Sequence, residues 1–243
     1  MSSTVLRATQ IIELISEGPR TTAQVAEHFQ VHPSTIFRQL QTLERVSFLI
    51  RYSDGTYGIG PRIIAIAQRA LDKIDLRRIA HETLRGLHTR TGHTLHLAQL
   101  VESQVLYVDK VEDASGIRMY SQVGLPVRLN CTGVGKVVLA QLPAARRAEL
   151  LAGADWTRHT ATTLAPAELD AELDRIAERG WGVDDGEHEE FVNCLAVPVG
   201  DSAGAVVGAL SLTSLRMIAD LDALRAHLDD LLAAARTISA ALG

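Results

Sequence analysis

Two short helices separated by a tight turn, the second of them started by a proline, constrain the fold of this chain most. Thr21 and Gln24 have the spacing of a capping box, which predicts the start of one helix. Pro33 stands where the first turn of the next helix tolerates a missing N–H group. Apolar residues follow it at helical spacing, at Ile36, Leu40 and Leu43. The pattern therefore predicts a helix-turn-helix.

A hairpin signal follows these helices. Residues 48–52 and 56–59 are short β-prone runs, and Ser53-Asp54-Gly55 between them is typical of a tight turn. Residues 5–15 carry apolar side chains at helical spacing, which predicts one further helix before the other two. Three helices and a hairpin form a winged helix-turn-helix, whose third helix enters the major groove of DNA. We assign this domain to residues 1–61.

The outward face of the third helix supplies most of the candidate DNA contacts. Hydroxyl groups at the helix start suit phosphates, and Arg and Gln side chains carry donors for base edges or phosphates. An aromatic side chain on this face can touch a thymine methyl group, and a cation beside the wing can reach the DNA backbone. The predicted DNA-binding residues are Ser34, Thr35, Phe37, Arg38, Gln41 and Arg51. The alternative is a small helical bundle with an ordinary solvated face.

The charge distribution is compatible with a local DNA-binding surface. The whole chain has a formal net charge of -5, which argues against indiscriminate binding to nucleic acid. Residues 1–62 carry six basic and five acidic side chains, whereas the remainder carries 18 and 24. The acidity thus lies outside the predicted DNA-binding domain. DNA binding requires clustered cations rather than a basic protein.

The rest of the chain predicts a second, larger domain. Apolar residues at Ile64, Ala67, Leu71 and Ile74 predict a linker helix over residues 62–75. Residues 76–243 mix helices with β-prone runs, one of them Ile117–Val123, and end in one long helix over about 221–242. Strands and helices without strict alternation predict an α+β fold on an antiparallel sheet.

Two motifs in this domain resemble those of the IclR family of bacterial transcriptional regulators. The first runs from Gly124 to Ala140 and reads GLPVRLNCTGVGKVVLA. The second combines RGWGVDDGE, starting at Arg179, with CLAVPV, starting at Cys194. The resemblance covers nearly the whole chain and implies a winged domain, a linker helix and a GAF-like effector domain. In this sequence Asn130 replaces the usual His, and Gln30 stands where Gly is common.

The first motif also indicates a ligand site. Thr132-Gly133-Val134-Gly135-Lys136 opens a helix with small residues, so a carboxylate can sit on its N-terminal N–H groups. A plain tight turn is the alternative. The resemblance adds four polar groups that hold small acids in similar regulators. The predicted effector-binding residues are Gly133, Val134, Asp184, Cys194, Ser211 and Thr213. Satisfied core residues are the alternative for the last four.

No metal, cofactor or catalytic site is predicted. Glu187-His188-Glu189-Glu190 holds potential ligands, but consecutive residues rarely converge on one ion, and we interpret this segment as an exposed acidic loop. His93 and His96 face the same objection. Only two cysteines are present, which excludes a disulfide framework.

The sequence therefore predicts a transcriptional regulator, not an enzyme, that binds operator DNA as a homodimer or homotetramer and responds to a small organic or aromatic acid. We expect a cytoplasmic location, because no apolar run reaches the ~20 residues of a membrane span and no signal peptide is evident. The competing hypothesis is a cysteine-dependent redox sensor or an enzyme with an N-terminal protein-interaction module. Whether the acid relieves repression or promotes activation is left open.

Overall fold

The computed structural model describes residues 3–113 and 119–242. These form two compact units, with the boundary between Lys73 and Ile74. The first unit contains α1 (Ser3–Ser16), α2 (Thr22–His28), α3 (Pro33–Arg45), β1 (Leu49–Arg51), β2 (Tyr57–Ile59) and α4 (Pro61–Leu71). β1 and β2 pair antiparallel. The predicted winged helix-turn-helix is confirmed.

Local hydrogen bonds explain where the helices of this unit begin. The Thr21 N–H donates to Oε1 of Gln24 at 2.8 Å, and the Gln24 N–H donates back to Oγ1 of Thr21 at 3.3 Å, which completes the capping box. At α3 the N-cap is His32, whose Nδ1 accepts from the Ser34 N–H at 3.3 Å. Between the two helices Gln30 has φ 53°, in the left-handed region that favours glycine.

The apolar positions of α3 are buried as predicted. The core of the unit joins them to residues of the other helices and of the hairpin, namely Ile11, Ile15, Val25, Ile36, Leu40, Leu43, Leu49 and Tyr57.

The helix predicted over 62–75 is shorter in the structure. It ends at Leu71, and residues 72–74 separate it from the next helix. The spacing was misleading at Ile74, because that side chain packs against the core of the second unit and precedes its first helix as the N-cap residue.

The second unit is an antiparallel sheet with helices on both faces. Its elements are α5 (Asp75–Thr91), β3 (Thr94–Val101), β4 (Gln104–Val111), α6 (Gly133–Gln141), α7 (Ala144–Ala152), α8 (Pro166–Arg179), β5 (Gly182–Asp185), β6 (Val192–Gly200), β7 (Val206–Leu215), α9 (Leu221–Arg225) and α10 (Leu228–Leu242). The strand order is β4-β3-β7-β6-β5, and every pair is antiparallel. The α+β prediction is confirmed.

Strand alternation divides the core into two layers. Leu95 and Leu97 of β3 point to the face covered by α5 and α10. Ala98 of the same strand points to the opposite face, which α6 and α8 cover. Residues Gly133–Ala140 of α6 are all buried, so the start of this helix is fixed against the sheet.

Two predictions in this unit are wrong. The strand predicted over Ile117–Val123 lies partly outside the described residues, and residues 119–123 form no strand. The chain pairs with β4 only from about Gly124 onward, for example through the bond from the Val127 N–H to the Val105 carbonyl at 2.8 Å. This pairing is irregular, because Gly124 has φ 93° and Pro126 lacks an N–H group. The predicted last helix is broken between α9 and α10, where Asp229 and Asp230 occupy the favourable first turn of a new helix.

Within the described residues, 3–113 and 119–242, no helix has the length and hydropathy needed to cross a membrane.

Candidate functional site

A small polar cavity lies beside the start of α6, near the first residues of β3 and the last residues of β7. It encloses about 30 Å³. Five of the six predicted effector-binding residues line it: Val134, Asp184, Cys194, Ser211 and Thr213. Strand register brings the last four together, because Cys194 pairs with Thr213 on one side and with Asp184 on the other. Ser211 lies two residues from Thr213 on the same face of β7.

Gly133 does not line the cavity but sits behind it. A Cβ atom at this position would lie 2.9 Å from Sγ of Cys194 and 3.1 Å from Cβ of Ala196. The glycine thus lets the first turn of α6 approach the sheet closely. Thr132 caps that turn, since its Oγ1 accepts from the Gly135 N–H at 3.2 Å, and both Thr132 and Val134 face the cavity.

His96 is the central cavity residue that the sequence reasoning missed. Its Nε2 lies 2.7 Å from Oγ of Ser121, and its Nδ1 lies 3.1 Å from Oγ1 of Thr213 and 3.4 Å from Oγ of Ser211. Burial lowers the pKa of His96 to about 3, so the ring is neutral at pH 7. The sequence signal for His96 was its position between the apolar residues Leu95 and Leu97 of one strand. Strand alternation turns it to the opposite face of the sheet, where the cavity lies.

The segment Glu187–Glu190 is not an exposed acidic loop, so this interpretation is wrong. Glu187 is buried, and His188 and Glu189 line the cavity. The Tyr120 N–H donates to Oε1 of Glu189 at 3.0 Å, which ties the segment to the far side of the cavity. Protein donors rather than water meet the carboxylates of Glu187 and Glu189, whereas Glu190 is exposed.

A buried ion pair holds this segment against α6. Nζ of Lys136 donates to Oε1 of Glu187, and the Lys136 side chain is fully buried. Oε2 of Glu187 has no hydrogen-bond partner among the described residues, so Lys136 is its main source of stabilisation. The Glu187 N–H also donates to Oδ1 of Asp184 at 2.7 Å. These contacts connect the helix start, strand β5 and the cavity wall.

Apart from Glu189, whose Oε1 accepts from the Tyr120 N–H, the polar groups that line the cavity are neutral at pH 7 and able to donate hydrogen bonds. Burial, and secondarily the neighbouring Glu187, raises the pKa of Asp184 to about 8, so its carboxyl group is mostly protonated. Burial, with His159 and Arg128 nearby, lowers the pKa of His188 to about 4. Hydroxyl groups of the cavity and the N–H groups of the first turn of α6 add further donors. This arrangement suits an anion with several oxygen acceptors.

The two cysteines are buried and unreactive in character. Burial raises the pKa of Cys131 and of Cys194 to about 12, with Asp184 as the next cause in both cases. Thiols in this state are protonated at pH 7 and are poor nucleophiles. Among the residues that the structure describes, no group of His, Cys, Asp or Glu side chains is arranged to hold a metal ion.

In the first unit, the predicted DNA-binding residues of α3 and the wing are accessible or partly accessible. Ser34, Phe37, Arg38 and Gln41 are exposed on α3, and Thr35 is half-buried. Oγ of Ser34 lies 2.9 Å from Nδ1 of His32, so its hydroxyl is oriented by the helix cap. Arg51 is exposed at the end of β1, with its guanidinium 5.8 Å from the centre of the Tyr57 ring.

Arg45 is an additional exposed cation on the same face of α3. It lies two helical turns beyond Arg38, and the two residues, with Gln41 between them, border one surface hollow. Its spacing of seven residues from Arg38, two turns of a helix, could have predicted from the sequence that it lies on the same face. The residues around this hollow therefore include two cations and one amide, together with Thr42 and the acidic Glu44.

Comparison with known proteins identifies relatives over the whole length of the chain. Residues 4–51 match the IclR helix-turn-helix domain, and residues 68–240 match the family described as bacterial transcriptional regulator IclR C-terminal. The HTH-type transcriptional regulator KdgR of Escherichia coli (strain K12) is 31% identical over 99% of this chain and 93% of its own length.

Solved structures show the same fold. The Thermotoga maritima IclR is 30% identical, with a TM-score of 0.84 and full coverage of both chains. An IclR homolog of Microbacterium hydrocarbonoxydans complexed with 4-hydroxybenzoate is 22% identical, with a TM-score of 0.83 and 99% coverage of both chains. At that identity the likeness concerns the fold alone.

Proposed function

Because this chain belongs to the IclR family of bacterial transcriptional regulators, we propose that it binds a specific operator through α3 and that a small organic or aromatic acid in the polar cavity changes this binding. Residues 1–61 form the DNA-binding domain, residues 62–75 the connection and residues 76–243 the effector-binding domain. The observation that carries the proposal is the convergence of donor groups from α6 and strands β3, β5, β6 and β7 on one cavity.

The exposed face of α3 supports the DNA-binding part. Gln41 and Arg38 carry the donors that read base edges, and Ser34 at the helix start is placed for a phosphate. Arg51 beside the wing is exposed, and we assign it to the DNA backbone. Each direct contact to a base contributes about 1–3 kcal/mol of discrimination, whereas a phosphate contact strengthens binding to all sequences.

Exposed apolar side chains in the first unit support a homodimer as the active form. No residue of α4 within the described chain is buried, although Ile64 and Ile66 are large and apolar. Val5 and Leu6 of α1 are also exposed. A second copy of the chain would cover such surfaces, and a twofold protein matches a pseudo-palindromic operator.

Electrophoretic mobility shift of the chain's own promoter fragment tests the DNA-binding part. Arg38→Ala and Gln41→Ala are expected to weaken the shift, and wild-type binding should fall steeply with salt. Arg85→Ala is the matched control, because it removes an exposed cation from α5 in the other unit. Unchanged binding of both α3 variants would contradict the contact assignment.

Thermal-shift screening of small aliphatic and aromatic carboxylates tests the effector part. A ligand that binds only the native state raises its stability, by about 2.7 kcal/mol at a concentration 100 times Kd. Ser211→Ala is expected to lose this response. Without ligand, its free energy of unfolding should stay within about 1 kcal/mol of the wild-type value. A full response in Ser211→Ala would place the ligand elsewhere.

The redox-sensor alternative is disfavoured by the two thiols. Their pKa values of about 12 leave almost no thiolate at pH 7. We therefore assign no redox or catalytic role to Cys131 or Cys194.

A further inference from the structure

The polar cavity is small and adjoins a larger space. Its volume is about 30 Å³. An effector that exceeds the cavity can extend into this neighbouring space. A groove of about 300 Å³ adjoins the cavity and shares two of its lining residues, Met119 and Thr213.

Cavity and groove follow each other along the same two strands, and we call the two spaces together the track. On β7, Ser211 lines the cavity, Thr213 lines both spaces and Leu215 lines the groove, and all three point to the same face of the strand. On β3, His96 lines the cavity and Thr94 lines the groove, again on one face. Thr94 pairs with Thr213 and His96 with Ser211, so the two strands run along the track together.

The chemistry changes along this track. The cavity end is rich in hydrogen-bond donors, whereas one wall of the groove is formed by Leu215, Met217 and Ile218. Met217 is 85% exposed and Ile218 is 69% exposed, so an apolar chain in the groove would remove unusually accessible apolar surface from water.

The opposite wall of the groove does not suit a second carboxylate. Its acidic groups are Glu112, which pairs with Lys110 at 2.7 Å, and Asp113, which lies 3.3 Å from Nε2 of His88. His93 also lines this wall, and burial lowers its pKa, with His227 and His88 as further causes, so it is not a strong cation at pH 7. An anionic group is therefore expected at the cavity end only.

We propose that the effector is an aliphatic monocarboxylic acid whose carboxylate occupies the polar cavity and whose unbranched apolar chain lies in the groove along Leu215 and Ile218. This inference rests on the proposed function and specifies its ligand. From Ser211 to Leu215 the track is about 13 Å long, at roughly 3.3 Å per strand residue. An extended molecule would fill this length, whereas a two- or three-carbon acid would fill only the cavity end.

Isothermal titration of the full chain with acetate, butanoate, hexanoate and octanoate tests the inference. Each CH₂ group that enters the groove is expected to tighten Kd about fourfold. Ile218→Asn should flatten this dependence on chain length while leaving the binding of butanoate nearly unchanged. Val101→Asn is the matched control, because Val101 is 41% exposed at the other end of β3 and should keep the wild-type dependence.

Several outcomes would overturn the inference and leave the proposed function intact. One is tight binding of a short, polyhydroxylated or aromatic acid whose Kd Ile218→Asn does not alter, together with no gain along the aliphatic series. A second is equal flattening by Val101→Asn. A third is a change in sedimentation behaviour caused by Ile218→Asn, which would make the groove a contact with another copy of the chain. Failure of every carboxylate to bind would instead remove the effector class that the proposed function assumes.

Discussion

Removal of Lys136 offers a sharp test of how the cavity wall is held. Its side chain is fully buried and pairs with Glu187, which is 6% exposed and has no second partner for Oε2 among the described residues. Lys136→Met would leave the carboxyl group buried without its cation. The loss of one partner from a buried ion pair destabilises a protein by about 3–5 kcal/mol.

The pH dependence of this loss follows from the Glu187 carboxyl group. Burial raises its pKa above the ordinary value of 4.5, and Lys136 acts in the opposite direction. Without Lys136 the folded-state pKa should rise further. A raised folded-state pKa of an acid leaves stability intact below the unfolded pKa and removes it as pH increases. The deficit of Lys136→Met should therefore be small near pH 4 and grow toward pH 7.

Urea unfolding followed by tryptophan fluorescence can measure this loss of stability in the second unit, where Lys136 lies. Both tryptophans of the chain, Trp156 and Trp181, lie in the second unit. With a urea slope of about 2 kcal/mol per molar, a loss of about 4 kcal/mol lowers the midpoint by about 2 M. The double variant Lys136→Met/Glu187→Leu should recover most of it, because an apolar pair often replaces a buried ion pair at little cost. A single-variant loss under about 1 kcal/mol, or a double variant as unstable as the sum of both singles, would refute the reasoning.

Three further predictions concern the turn before α3, the thiols and the cavity acid. Gln30→Gly should stabilise the first unit by about 0.5–1 kcal/mol, because Gln30 has φ 53°; slower amide hydrogen exchange in α3 would confirm it, and faster exchange would contradict it. Cys131 and Cys194 should resist a thiol-reactive disulfide reagent at pH 7 and react fully in urea, since burial raises the pKa of both to about 12; rapid native-state labelling would revive the redox hypothesis. Carboxylate affinity should fall about tenfold per pH unit above pH 8, where ionised Asp184 repels the anion; in titration calorimetry Asp184→Asn should abolish this fall, and an equally steep fall in that variant would exclude Asp184 as the cause.

Local signals were sufficient for the first unit. Helical spacing and the proline predicted α3, and the capping residues predicted the start of α2, because these features act within a few residues of the chain. The same signals misplaced the end of α4. Ile74 continues the spacing of that helix, yet tertiary packing against a different core places it outside. Local periodicity does not distinguish which core an apolar residue joins.

The cavity depended on contacts between distant parts of the chain. The resemblance indicated Asp184, Ser211 and Thr213, but His96 and Ser121 were missed because their partnership joins residues 25 positions apart across an irregular segment. His188 and Glu189 were misread for a related reason. Charged residues in sequence favour an exposed loop, and only the buried partner Lys136, 51 positions away from Glu187, reverses that expectation.

The apolar core explains why the polar residues nevertheless meet. Leu95 and Leu97 of β3 and Leu210 and Leu212 of β7 all face the layer of α5 and α10, and Leu95 pairs with Leu212. If the pairing shifted by one residue, the leucines of one of these two strands would turn toward the opposite face. The fold would then lose the burial of two leucine side chains. The apolar face therefore strongly favours this register. His96 must then stand opposite Ser211 on the other face, so the core residues place the polar cavity without contacting its ligand.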